Sequence, residues 1–305
     1  MKHYNNMARQ AGMTLIELTV VLLILIGLAG LLVPYVGSFT QTTHDSTNSN
    51  NVTQLNNAFG RYVTDKNHLP PHVDTLINDT ASTALATGSC ATGQPNTAIG
   101  EVYCGLANQA LFTPLPIDPT VDTIAVESIA NSGIHMAVAN NPDAPNKTFG
   151  TSTNMLGLGK ATDGMPFNAA VTFAAVADAG FPTDMTSGVE KHLAAALGRD
   201  PMAYNDTCYA YIGVGIGDNN ELIQSTMAAA PVFFPQDAEY GPAQRYGHFI
   251  AILQVDRDNT TAGCSGVTEK AKFLGVVANV PASESTHLVG ANTLLAQSWT
   301  NRAAN

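Results

Sequence analysis

Glu17 is the residue in this sequence that most needs a chemical explanation. It stands inside the apolar run MTLIELTVVLLILIGLAGLLVPYV, from Met13 to Val36. From Met13 to Thr43 no other Asp, Glu, Lys, Arg or His occurs. A carboxylate among aliphatic side chains costs on the order of 2.5–3.5 kcal/mol on membrane-insertion scales, which calls for a cationic partner. Gly12 and Met13 offer one. Cleavage between them creates a new amino terminus at Met13, with Glu17 the fifth residue along. Within one helix that ammonium could fold back onto Glu17; between two staggered helices it could pair with a neighbour's Glu17. In the second arrangement the penalty disappears only on assembly, and the acid becomes a register device.

Other residues with chemical potential are weaker. Cys90, Cys104, Cys208 and Cys264 form an even set without a C-x-x-C, which suits two disulfides in an oxidising compartment better than a zinc knuckle. Four cysteines allow three connectivities. Cys90–Cys104 with Cys208–Cys264 is the expected one, because each pair brackets its own segment; four buried thiols are the alternative. Asp256, Asp258 and Asn259 follow a predicted strand and offer side-chain oxygens suited to calcium, but the glycine and terminal Glu of an EF-hand are missing and a solvated turn is preferred. Gly213-Val-Gly-Ile-Gly217 lacks the spacing of a dinucleotide loop, and Leu156-Gly-Leu-Gly-Lys160 fails as a P-loop because Ala161 follows the lysine. His68 and His72 read as surface histidines rather than a metal clip. No G-x-S-x-G or H-E-x-x-H occurs. No cofactor is expected beyond that weak calcium possibility, and the chain does not read as an enzyme.

These residues must be positioned by an exported body on a membrane helix. The first twelve residues carry Lys2 and Arg9 and no acid, so a basic head precedes the apolar run, an arrangement that keeps the head in the cytoplasm. As a helix, residues 13–36 are long enough to cross roughly 30 Å of hydrocarbon. The whole chain has 305 residues, 45% hydrophobic and 12% charged, with a net charge of -11. Such a composition folds, and its acidity argues against nucleic acid as a partner.

The string GMTLIELTVVLLILIGLAGLLVP resembles the class III signal of type IV pilins and type II secretion pseudopilins. Four spaced features carry the likeness: Gly12, Met13, Glu17 and Pro34. The resemblance covers about thirty residues and leaves the body untouched. It implies cleavage by a prepilin peptidase after Gly12, N-methylation of Met13, and self-assembly with other pilins or pseudopilins through the N-terminal helix, on an inner-membrane assembly platform. Methylation keeps the amine charged, so the pairing with Glu17 survives it. The resemblance further implies an inner-membrane precursor with its body in the periplasm, then a periplasmic or cell-surface filament. It implies a first helix of some fifty residues that bends near Pro34. Some pseudopilins bind calcium in a late loop. A secretory signal or plain anchor would share the basic head and apolar run but would not explain Glu17.

Past Pro34, residues 40–51 (TQTTHDSTNSNN) are rich in side chains that compete with helical backbone bonding, and an extended or hinge segment is expected there. Val52, Leu55, Phe59, Tyr62 and Val63 fall on one helical face. Leu69-Pro-Pro-His72 ends that helix. Short strands are predicted at Ile124–Val126, His135–Val138 and Val171–Val176, and clearer ones at Cys208–Val214, Gly247–Val255 and Lys272–Val280. Ser187-Gly-Val-Glu190 reads as a capping box opening a helix over Val189–Leu197, stopped by Gly198. The expectation is an α+β fold. A long N-terminal helix, half membrane-spanning and half amphipathic, carries an antiparallel sheet with a large insertion ahead of it. The segments are a leader at 1–12, the apolar helix at 13–36, a polar and amphipathic stretch at 37–68 and an extracytoplasmic body at 69–305, in one lobe or in two divided near residue 200. The functional expectation is a filament subunit, major or minor, with a membrane-anchored exported enzyme or binding protein as the alternative.

Overall fold

The computed structural model describes residues 15–78, 111–140, 154–157, 171–178, 188–217, 220–234, 248–280 and 285–303. It is α+β. A 52-residue helix, α1 (Leu15–Lys66), leads into a mixed sheet. At about 1.5 Å per residue α1 is roughly 78 Å long. Its chain exit is local chemistry: Asn67 takes φ 59°, donates its N–H to the Val63 carbonyl (2.8 Å), and Pro70 and Pro71 prevent any continuation.

The sheet's strands are β1 (His72–Asn78), β2 (Phe112–Ile117), β3 (Met136–Asn140), β4 (Asn154–Gly157), β5 (Val171–Val176), β6 (Tyr209–Ile216), β7 (Phe249–Asp256) and β8 (Lys272–Val277). β6, β7 and β8 pair antiparallel, as expected of the three clearest predicted strands. The predicted strands at His135–Val138 and Val171–Val176 are likewise present, as β3 and β5. The opposite edge of β6 is shared by β5 and β1. Strands from both sides of residue 200 therefore pair in one sheet. The sheet is not purely antiparallel: β1 and β3 run parallel, reached through the crossover helix α2 (Thr123–Asn131).

That helix corrects the strand expected at Ile124–Val126. Ala125, Val126, Ser128 and Ile129 are buried together, a helical spacing that a three-residue apolar stretch did not reveal. The helix expected near residue 189 is present as α3 (Gly188–Leu197) and stops at Gly198, φ +70°. Ser187 lies outside the described residues; the Gly188 N–H is accepted by the Asp178 carboxylate. The described residues also include α4 (Leu222–Ser225) and α5 (Ala291–Ala303).

Both faces of the sheet are covered. On one, Val52, Leu55, Phe59 and Tyr62 of α1 pack with Ile212, Val214, Phe249, Ala251 and Leu253. On the other, Val189, Leu193 and Ala196 of α3 pack with Leu76, Phe112, Ile250 and Ile252. β7 shows the period-2 logic directly, alternating its side chains between the two clusters. Gly213, in the failed dinucleotide motif, belongs to β6: a Cβ there would stand 2.9 Å from Phe112 and 3.0 Å from Ile250. The glycine makes room for core side chains.

The Cys208–Cys264 disulfide is present, tying the start of β6 to the β7–β8 loop with Cα atoms 5.5 Å apart. Cys90 and Cys104 lie outside the described residues.

Candidate assembly helix

α1 divides into three stretches with different surroundings. In the first, Ile16, Leu18, Val20, Val21, Leu22, Leu23, Ile24, Leu25, Ile26 and Leu28 are each between 47% and 74% exposed. Among the described residues, none covers this apolar surface. Glu17 stands within it, and Thr19 satisfies its hydroxyl on the Ile16 carbonyl (2.9 Å). Among the described residues no helix is long and apolar enough to cross a membrane. Gly12 and Met13 lie outside the described residues. Pro34 falls within α1, which continues through it.

The middle stretch corrects the expectation of a hinge. Residues 40–51 are helical. Thr43 donates its hydroxyl to the Phe39 carbonyl (2.8 Å), a back-bond made within the helix that does not itself stabilise it. Tertiary contacts do the rest. The Asn48 side-chain amide donates to the Phe234 carbonyl, and its Oδ1 accepts the Phe234 N–H at 2.9 Å. Ser49 donates to the Ala291 carbonyl (3.1 Å), and the His44 ring stacks on Phe234 with centroids 5.4 Å apart. Asp45, Asn48 and Ser49 are buried. Polar side chains thus serve here as hydrogen-bonding clips for the 232–234 segment and the start of α5.

The third stretch behaves as expected. Val52, Leu55, Phe59 and Tyr62 are fully buried, Val63 partly so. Phe59 stacks on Phe273 (4.3 Å, 6°), and Asn56 Oδ1 accepts the Val276 N–H at 3.0 Å. The contact positions 45, 48, 52, 55, 59 and 62 keep one alternating three-four spacing. That spacing was the signal for Asn48, which sequence reasoning missed because it followed apolar residues only.

Each of the calcium candidates has a hydrogen-bond partner in the β7–β8 loop. The Asp256 carboxylate accepts the Glu269 N–H (2.8 Å). Asp258 accepts Thr260 N–H, Thr260 hydroxyl, Thr261 N–H and Thr261 hydroxyl, bonds that hold its carboxyl well below the usual carboxylate range. Asn259 donates its amide to Thr268 (3.2 Å). The loop is a turn closed by its own acids, and among the described residues no group of three His, Cys, Asp or Glu could hold a metal ion. His68 packs edge-on against Tyr62 and bonds the Leu69 carbonyl, a structural role. Asp74, absent from the sequence reading, is buried in β1.

No protein-family model, curated protein or solved structure matches the chain.

Proposed function

We propose that this chain is a subunit, major or minor, of a bacterial filament of the type IV pilin or type II secretion pseudopilin kind. The prepilin peptidase cuts after Gly12, Met13 becomes the methylated amino terminus, and the subunit moves from the inner membrane into the filament through the first stretch of α1. The body stays outside the cytoplasm. Loss of residues 1–12 removes two basic residues and no acid, taking the net charge from -11 to -13.

One observation carries this reading. A single continuous helix buries its far end in the body and leaves its near end, residues 16–28, apolar and uncovered. A surface of that kind marks contact with lipid or with other chains. In the precursor the membrane and the inner-membrane assembly platform cover it; in the filament the equivalent helices of neighbouring subunits do. Glu17 then meets the Met13 ammonium of a neighbour and sets the stagger.

Glu17→Ala tests this in living cells. The variant should insert in the membrane at wild-type levels and lose incorporation into filaments. Normal polymerisation of the variant overturns the proposal, as does a mature chain that does not begin with methylated Met13 in mass spectrometry.

A further inference from the structure

The sheet has a weak joint. β6 gives one edge to β7 over eight residue pairs, from Tyr209↔Asp256 to Ile216↔Phe249. Its other edge is divided: β5 pairs opposite Ile212 and Gly213, and β1 pairs at one position, Asp74↔Gly215. Through β1 hang β3 and then β4. The β1–β3–β4 arm is therefore paired with β6 at Asp74, and is otherwise held by packing of Val73, Leu76 and Ala137 in the core.

The surroundings of that carboxyl are unusual. Asp74 is 2% exposed. One oxygen accepts the Leu76 N–H at 2.9 Å; the other has no hydrogen-bond partner. Leu76 sits at φ 60°, in the left-handed region that disfavours a side chain, and the β1–β3 register breaks between Asp74 and Asn78. The Asp74–Leu76 bond, of ordinary length, spans this left-handed piece of backbone at the joint.

We propose that Asp74 is a proton-operated latch: with its carboxyl neutral the β1–β3–β4 arm stays seated on β6, and ionisation loosens the arm. An ionised carboxylate with a bare oxygen in an apolar core is strongly unfavourable, whereas the acid form is tolerated. The residues paired with it, Gly215 and Val138, are uncharged. α3, which packs in the cluster containing Leu76, carries Glu190, Lys191 and the buried His192; α1, over the opposite face, carries Arg61, Asp65 and Lys66 near its end. Burial pushes the Asp74 carboxyl up to about 7, against a smaller downward pull from the Leu76 N–H.

The direction follows. With the arm released the carboxyl has an ordinary value of about 4. Below that pH both forms are protonated and the latch is closed. Between about 4 and 7 the released form gives up its proton while the seated form keeps it, so each step of one pH unit favours release about tenfold. Above about 7 both are ionised and the effect stops growing. A body lying outside the cytoplasm meets such changes directly.

Hydrogen exchange of the full chain in detergent, at pH 5 and pH 8 with intrinsic rates corrected, tests the latch. Protection in β1 and β3 should fall by at least tenfold, and up to about a hundredfold, relative to β7 and β8. Asp74→Asn, which cannot ionise, should remove the difference. Equal loss across all strands, no loss in β1 and β3, or the same loss in Asp74→Asn overturns the proposal. If the variant does not fold, the wild-type strand comparison decides alone.

Discussion

Replacing Asn48 by alanine separates two accounts of the polar middle of α1 by the sign of the effect. If residues 40–51 were helical only through local preference, alanine would stabilise the helix by about 0.5 kcal/mol, since it is the better helix former. The structure demands the opposite. Asn48 is 1% exposed and makes a paired bond to the Phe234 N–H and carbonyl. Its truncation removes two hydrogen bonds worth about 1 kcal/mol each and leaves two backbone groups without partners. Phe234 is 41% exposed, so water relieves part of that penalty. Set against the propensity gain, the expected net loss is about 2 kcal/mol. Asn48→Asp keeps the acceptor for Phe234 N–H but points an oxygen at the Phe234 carbonyl, and should be at least as damaging. Asn57→Ala, on the exposed side of α1, should be neutral or slightly stabilising. Urea unfolding of the full chain in detergent, followed by circular dichroism, measures all three. An Asn48→Ala variant as stable as wild type, or more so, refutes the clip.

The two remaining predictions concern the packing of α1 on the body and the disulfide. Phe59→Ala empties a buried site stacked on Phe273 and should lower stability by about 3–5 kcal/mol, readable as a fall in urea midpoint; a loss under about 1 kcal/mol would mean that the third stretch of α1 is not part of the core. Reduction of Cys208–Cys264, which closes a segment of 56 residues, should cost about 2–4 kcal/mol, seen as a lower Tm in dithiothreitol. An unchanged Tm would show that the reduced and oxidised unfolded chains are equally restricted.

What the sequence determined by itself was what depends on neighbours a few residues away. The amphipathic face of 52–63, the apolar strands expected at Cys208–Val214 and Gly247–Val255 and present at 209–216 and 249–256, and the stop at Gly198 are local patterns. The acid at Glu17, five residues into an apolar run after Gly12, is likewise visible without any fold. Tertiary structure decided the rest. The run TQTTHDSTNSNN is a poor helix by propensity, yet Asn48 and Ser49 gain partners on residues 234 and 291 that no local window contains. Thr123–Asn131 became helical because a buried face on the sheet outweighed its short β-like stretch. The parallel β1–β3 pairing and the burial of Asp74 at the β6 edge depend on which strands meet. Hydrophobic period is written along the chain, whereas polar partnership between distant residues exists only after the chain has folded.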